Sequence, residues 1–357
     1  MARRRSLTIA SVNVNGIRAA DRNGISAWIA DRRPDVVTLQ EVRAPDDIFT
    51  EHVDRLWGEK WHRVHAESAA KGRAGVAVVS SHNIETSRID IGKPAQRFNN
   101  TGRWVEAVID IPFLDQPLVV ISAYVHTGDA GDDNRMEEKL SFFAAMTKRM
   151  ETLRSSGAHV LLTGDFNVGH TELDIKNWKG NRNNAGFLES ERAWFDRWFD
   201  DLGWVDLARN LAGPVEGPYT WWSFRGQAFD RDVGWRIDYQ IASPEFAAFA
   251  ATSEVDRAPS YAERWSDHAP LVVTSRSAPS NNGAISKRWR SCSISSSVGT
   301  SPTAARFAAS STIGNTPPSL VEFKKRCSRP RTKRTARSTA PSSRRGSYQE
   351  KRGPSYP

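Results

Sequence analysis

Seven apolar runs of strand length, each bordered by polar or turn-forming residues, restrict the fold of this chain more than any other feature. They are residues 7–12 (LTIASV), 36–39 (VVTL), 75–80 (GVAVVS), 118–124 (LVVISAY), 159–163 (HVLLT), 237–242 (IDYQIA) and 271–274 (LVVT). Their β-branched content and their Gly, Asp and Asn borders mark them as strands. Between them, residues 25–32 and 134–154 read as helices. The second carries Met136, Leu140, Phe143, Ala144, Met146 and Met150 close to helical spacing. Strands that end in polar residues, with helices interposed, predict an α/β or α+β layered domain. No run approaches the ~20 apolar residues that a bilayer-crossing helix needs, so no membrane partner is expected. No repeat of solenoid period is visible.

The pattern stops at Thr274. Residues 275–357 hold 17 of the 50 Lys and Arg but two of the 41 Asp and Glu, so the formal net charge of +9 belongs to them. The 274 residues before them keep 33 basic against 39 acidic side chains. A general affinity for nucleic acid cannot be read from the charge of that domain. The segment after Thr274 has 19 Ser and eight Pro. Such a composition buries too little apolar surface to offset chain entropy, so a disordered tail is expected, either a nucleic-acid-binding arm or an accessory without specific role. The division expected is therefore 1–274 as the folded domain and 275–357 as tail. Cys292 and Cys327 are the two cysteines, too few for a disulfide framework or a cysteine zinc cluster. The basic N-terminus is followed by too short an apolar stretch for a signal peptide, and a cytoplasmic location is expected.

The strand ends carry the chemistry. Asn13 and Asn15 follow the first strand, Gln40 and Glu41 the second; Tyr124 ends a later one. Asp165 and Asn167 lie in GDFN (164–167), Asp238 in GWRID (234–238), and Asp267 and His268 in SDHAP (266–270). One such residue is ordinarily a cap or turn residue. Six sites with metal- or phosphate-competent side chains are harder to explain that way. The set suits metal-assisted attack on a phosphodiester. Mg²⁺ is hard and oxygen-preferring; Glu41, Asp165 and Asp267 offer carboxylates, and Asn13 and Asn167 amide oxygens. Zinc would favour several His or Cys, and His268 is the one histidine in the set. His268 is suited to donate to a phosphoryl oxygen with Asp238 holding its tautomer. No Gly-x-Ser-x-Gly elbow, P-loop or dinucleotide fingerprint is present.

SVNVNGIR (11–18), LQE (39–41), GDFN, GWRID and SDHAP, in this order, resemble the signature blocks of the exonuclease III family of apurinic/apyrimidinic endonucleases, within the endonuclease/exonuclease/phosphatase superfamily. HTELDIKNWKG (170–180) and FLESER (187–192) resemble that family's DNA-facing segment. The resemblance implies a four-layer αββα sandwich with the site at one end of the paired sheets. It implies that Asp165 activates water oriented by Asn167, and that Glu41 and Asn13, with Asp267 nearby, hold the principal metal. Mg²⁺ is expected, with Mn²⁺ as the alternative. His268, oriented by Asp238, would contact the scissile phosphate, and Tyr124 would hydrogen-bond it. One or two metals are compatible with the sequence, the second shared by Asp165, Asn167 and His268. Trp221, Trp235 and Ile237 match positions that wall an apolar pocket for a base-free sugar; Trp28, Trp57, Trp104, Trp194 and Trp198 read as packing residues. The implied partner is duplex DNA with abasic sites or 3′ blocks, and the implied assembly a monomer. Lys176, Lys179 and Arg182, with Arg18 and Arg103, are the candidates for DNA contact. The sequence departs from the family at VHTG (125–128), where relatives often carry Pro and a phosphate-binding polar residue, and at Arg73-Ala74, where Tyr-Ser is common. The implied activity is Mg²⁺-dependent cleavage 5′ to abasic sites, with 3′-5′ exonuclease and end trimming. The competing readings are a superfamily phosphodiesterase acting on a small phospho-substrate and an inactive DNA-binding protein.

Overall fold

The computed structural model describes residues 6–277, Pro94 excepted. The expected tail lies outside the described residues from residue 278 onward. Twelve strands are present among the described residues: β1 (Ser6–Asn13), β2 (Val36–Gln40), β3 (His62–Ala66), β4 (Val76–Ser80), β5 (Ile84–Arg88), β6 (Trp104–Ile109), β7 (Leu118–Tyr124), β8 (His159–Asp165), β9 (Val205–Asp206), β10 (Asp238–Ala242), β11 (Ala250–Val255) and β12 (Leu271–Arg276). They form two six-stranded sheets, ordered β11-β12-β1-β2-β4-β3 and β5-β6-β7-β8-β10-β9. Each sheet has one parallel pair near its centre, β1 with β2 and β7 with β8, flanked by antiparallel neighbours.

Side-chain alternation along the strands builds the layers. Leu7 and Ile9 of β1, Val36 of β2, Val120 of β7 and Leu161 of β8 meet between the sheets. Ala10, Val12, Val37 and Leu39 face outward and pack under the helices Ile17–Arg22, Ile25–Arg32 and Asp46–Trp57, through Ile17, Ile29, Phe49 and Val53. On the opposite side Val119, Ile121, Val160 and Leu162 pack under the helix Asp133–Ser155, through Phe142, Phe143, Met146 and Met150. The result is the four-layer αββα sandwich that the resemblance implied. Trp104 and Trp198 are buried, and Trp28, Trp57 and Trp194 pack partly buried against the outer cores, as expected of packing residues.

The inner faces change character along the strands. The apolar end gives way to Thr38, Gln40, Ser122, Thr163 and Gln240, all buried. Burial of such groups is tolerated where they are paired. Thr163 Oγ1 donates to Thr38 Oγ1 (2.7 Å), Gln40 Nε2 to Ser122 Oγ (3.0 Å), and Gln240 Nε2 to the carbonyls of Ile9 and Leu271 (both 3.1 Å). This polar layer leads to one mouth of the sandwich. There the central parallel strands end and their antiparallel neighbours β10 and β12 begin. The pairings Asp238 with Asp165, Tyr124 with Asp165, and Asn13 with Gln40 follow from that topology.

Five strands had no clear sequence signal, for separate reasons. β3 is half-exposed and β5 mostly exposed, both polar, and β9 spans two residues. β11 is likewise half-exposed. β6 is interior but holds buried Glu106, whose carboxylate is satisfied by Trp104 Nε1 (2.8 Å) and by Arg149 Nε (2.7 Å) and Nη2 (2.6 Å). β12 runs on to Arg276, which pairs with Ser6, so the last strand passes the boundary expected at Thr274.

Candidate active site

The mouth is built from tight backbone turns. Asn15, Glu41, Arg43 and Asn167 take left-handed φ values of 47, 50, 52 and 50°. Such a backbone costs Glu or Arg roughly 1 kcal/mol or more and persists where the surroundings fix it. Here the Glu41 carbonyl accepts from Gly16 N (2.8 Å), while Val42 N and Arg43 N donate to Gly75 and Ala74 (both 2.9 Å). Gly164 has a different reason. A Cβ at that position would lie 1.9 Å from the Ala123 carbonyl oxygen, so no other residue fits between β7 and β8 immediately before Asp165.

Asp165 is the hub. Its Oδ2 accepts from Asn13 Nδ2 (2.9 Å) and from Asn167 Nδ2 (3.1 Å), and its Oδ1 from the Asn167 backbone N (2.9 Å). Asn13 Nδ2 also donates to Glu41 Oε1 (3.1 Å), and Asn13 Oδ1 accepts from Asn15 N (3.0 Å). Asn13 therefore turns its nitrogen to the carboxylates and spaces Glu41 from Asp165. Glu41 is also paired with Arg43. Asp267 is held by Asn15 Nδ2 (2.8 Å) and by Trp221 Nε1 (3.0 Å).

The imidazole is held from behind. His268 Nδ1 lies 2.8 Å from Asp238 Oδ2, and its Nε2 3.7 Å from Asp165 Oδ2. Thr220 Oγ1 accepts from the Ile237 and Asp238 amides (3.2 and 3.1 Å), fixing the start of β10. Ser266 Oγ donates to the Asn13 carbonyl (2.7 Å), joining the turn before β12 to the end of β1. Burial disfavours a charged His268, but Asp238 and then Asp165 outweigh it and raise the imidazolium to about 10. Burial pushes Asp165 upward, with Asp238 and Glu41 adding to it against the opposite pull of His268. Burial, then the charges of Glu41 and Asp165, hold the Tyr124 phenol well above its ordinary range, so it is a neutral donor. Ligand atoms of Asp165, Asp238 and His268 all lie within 4.8 Å of one another.

Glu41, Tyr124, Asp165, Asn167, Asp267 and His268 line a cleft of about 340 Å³ together with Arg43, Thr127, Ala185, Gly186, Trp221, Trp235 and Ile237. The rings of Trp221 and Trp235 meet edge to face at 6.2 Å and 89°. The structure thus gathers Asn13, Glu41, Tyr124, Asp165, Asn167, Asp238, Asp267, His268, Trp221, Trp235 and Ile237 at one place. Lys176, Lys179 and Arg182 are not in its lining. Lys176 N is bonded to the Gly234 carbonyl (3.1 Å), next to Trp235, while its ammonium pairs with Glu216 (2.6 Å). Lys179 and Arg182 lie over the Trp178 ring at 5.5 and 4.8 Å. Arg18 is exposed on Ile17–Arg22, and Arg103 pairs with Glu138 (2.9 Å).

The cleft also contains residues that the motifs did not single out. Arg43 follows Glu41 by two positions, and Thr127 Oγ1 donates to Asn167 Oδ1 (3.2 Å) from within the divergent VHTG segment. Arg236 was read as part of GWRID alone. It is buried and bonded to Asp174 Oδ1 (2.7 Å) and Asp206 Oδ2 (2.7 Å), directly before Ile237 and Asp238. An Arg flanked by tryptophan and isoleucine was the available hint of burial.

A sandwich of this layering, with oxygen donors and a carboxylate-held imidazole at one mouth, is a hydrolytic architecture. Residues 10–268 match the Endonuclease/Exonuclease/phosphatase family, and the chain belongs to it. It is 34% identical over 238 residues to an exodeoxyribonuclease of Bacillus subtilis, covering 66% of this chain and 88% of that one. It is 31% identical over 271 residues to a DNA-(apurinic or apyrimidinic site) endonuclease of Dictyostelium discoideum, covering 75% and 70%. Among solved structures, the 3′-5′ exonuclease NExo of Neisseria meningitidis aligns with a TM-score of 0.65 and 29% identity, over 75% of this chain and 98% of that one. No helix among the described residues is long and apolar enough to cross a membrane.

Proposed function

We propose that this chain is a DNA-repair phosphodiesterase that requires a divalent metal, cuts duplex DNA 5′ to an abasic site and trims blocked 3′ ends. One observation carries the reading. Asp165 is fixed between Asn13 and Asn167, 3.7 Å from an imidazole that Asp238 keeps charged, beside a wall of two tryptophans. The relatives named above, nucleases and an abasic-site endonuclease, support the substrate class.

Water positioned by Asn167 loses its proton to Asp165 as its oxygen attacks phosphorus; the P–O3′ bond breaks, and the leaving 3′ oxygen keeps the bonding pair and takes a proton from solvent to become a 3′ hydroxyl. Imidazolium His268 donates to a phosphoryl oxygen, and neutral Tyr124 donates to the same group. The donor set of Glu41, Asp267 and Asp165, with the amides of Asn13 and Asn167, fits Mg²⁺ (or Mn²⁺) and not zinc. Such an ion would supply charge neutralisation at the phosphate and a lowered water pKa. Asn13 would offer its oxygen only by releasing the Asn15 amide. His268, protonated, would serve as a donor to the phosphate.

Trp221, Trp235 and Ile237 would admit a sugar that has lost its base and exclude a nucleotide that keeps it. Lys176, Lys179 and Arg182 would contact the duplex outside the cleft. We assign the reaction to the folded domain of 1–274, extended to Arg276, and to a monomer in the cytoplasm. The test is the ratio of cleavage efficiencies on abasic and intact duplexes, for wild type and Trp235→Ala. Loss of aromatic burial on the order of 1–3 kcal/mol should weaken the abasic substrate and lower the ratio. An unchanged ratio would remove the wall from the account. Wild-type preference for a phospholipid or inositol phosphate would overturn the repair assignment.

A further inference from the structure

Beneath the cleft lies an ion pair that the reaction above does not use. Lys139 on the helix Asp133–Ser155 and Glu191 on the helix Glu189–Asp196 are both completely buried, with Nζ 2.6 Å from Oε1. A dry pair of this kind is a weak source of stability, because desolvating two charges offsets their attraction. Its remaining bonds point elsewhere. Lys139 Nζ also donates to the carbonyls of Thr127 (2.8 Å) and Asn167 (3.0 Å), so all three ammonium protons are used. Glu191 Oε2 accepts from the backbone amides of Gly186 (2.8 Å) and Leu188 (3.0 Å). Four main-chain groups on three separate segments thus converge on one pair.

Three of those groups belong to residues that line the cleft: Thr127, Asn167 and Gly186. Asn167 sits in a left-handed turn and carries the amide that faces Asp165. Gly186 is pressed against the same turn and against the wall. A Cβ there would lie 3.0 Å from the Asn167 carbonyl oxygen and 3.2 Å from Trp235 Cζ3. Main-chain anchors of this sort fix position without touching substrate.

We infer that Lys139 and Glu191 are positioning residues for catalysis: the buried pair clamps the Asn167 turn, the Thr127 segment and the Gly186 wall into one register. The kinetic arm of this inference rests on the phosphodiesterase reading; the clamp itself does not. Lys139→Met alone strands a buried carboxylate, so the informative protein is Lys139→Met/Glu191→Met, which removes both charges. With the fold retained by circular dichroism and thermal melting, kcat on an abasic duplex should fall about 10- to 100-fold, as a displacement of roughly 1 Å produces, while KM stays within about threefold. Wild-type kcat in the folded double variant would overturn the inference. A second measurement uses the unaltered protein. The Gly186 and Leu188 amides, although in a loop, should exchange with solvent at least ~10²-fold more slowly than unbonded loop amides. Rapid exchange at both would refute the clamp even if the double variant does not fold. If the wild type proves inactive on DNA, the functional reading fails and the exchange result still decides the clamp.

Discussion

Asp238→Asn isolates the group that keeps His268 charged. Asp238 is buried, its Oδ2 is 2.8 Å from His268 Nδ1, and it pairs across the sheet with Asp165. Raising the imidazolium from 6.5 to about 10 against burial corresponds to about 5 kcal/mol in favour of the cation. Asp165 shares in that effect from 3.7 Å, so the hydrogen-bonded Asp238 carries most of it. Without the carboxylate, burial is opposed by Asp165 and, more weakly, by Asp267, and the imidazole is largely neutral near pH 7.5. Turnover should then fall by about 10²–10⁴, or roughly 3–5 kcal/mol in the barrier. KM should change little, because the proposed duplex contacts lie outside the cleft. The assay is single-turnover cleavage of an abasic duplex at saturating Mg²⁺ across a pH series. The deficit should shrink as pH falls below about 6.5, where solvent protons restore the imidazolium. A loss under tenfold at neutral pH, or one confined to KM, would refute the role given to this pair.

Three further outcomes follow from the buried Asp174 network and from the last strand. Burial would raise the Asp174 carboxyl, but Arg236, the Thr171 amide and Arg209 outweigh it and hold it at about 2. A depressed carboxyl stabilises the fold above the ordinary carboxylate range. That contribution, about 2–3 kcal/mol, should vanish as pH falls from ~4 to ~2. Urea midpoints over that window should drop for wild type and stay flatter for Asp174→Asn; parallel curves would contradict the network. Truncation after Ser277, which keeps β12 whole, should leave turnover unchanged while weakening non-specific DNA binding and flattening its salt dependence. Truncation after Thr274 removes Ser275 and Arg276, the partners of Leu7 and Ser6, and should lower the melting temperature.

The interior strands were legible because Val and Ile crowd both faces of residues such as 36–39 and 118–123, and because each strand ends in a residue the core cannot accept. The site was legible for the same reason, since Asn13, Glu41, Asp165, Asp238 and His268 sit where apolar runs break. What stayed hidden depends on partners distant in the chain. Glu106 reads as a surface charge until Arg149 is seen beside it, and Arg236 and Lys139 read as ordinary cations although both are buried on carboxylates. The Trp221 indole bond to Asp267 ties the tryptophan wall to the metal-competent carboxylates, which no spacing announces. The basic side chains of 170–182 lie outside the cleft, paired with Glu216 or stacked on Trp178.

The central claim is metal-dependent hydrolysis at an abasic site, and one experiment addresses it directly: a duplex with a single abasic analogue, incubated with the purified chain in Mg²⁺ or in excess EDTA. The account predicts a cut immediately 5′ to the lesion in Mg²⁺, none in EDTA, a raised Mg²⁺ requirement or no turnover for Glu41→Gln, and loss of at least ~10²-fold in turnover with retained DNA binding for Asp165→Asn. Full cleavage in EDTA, or near-wild-type turnover by Asp165→Asn, would contradict it.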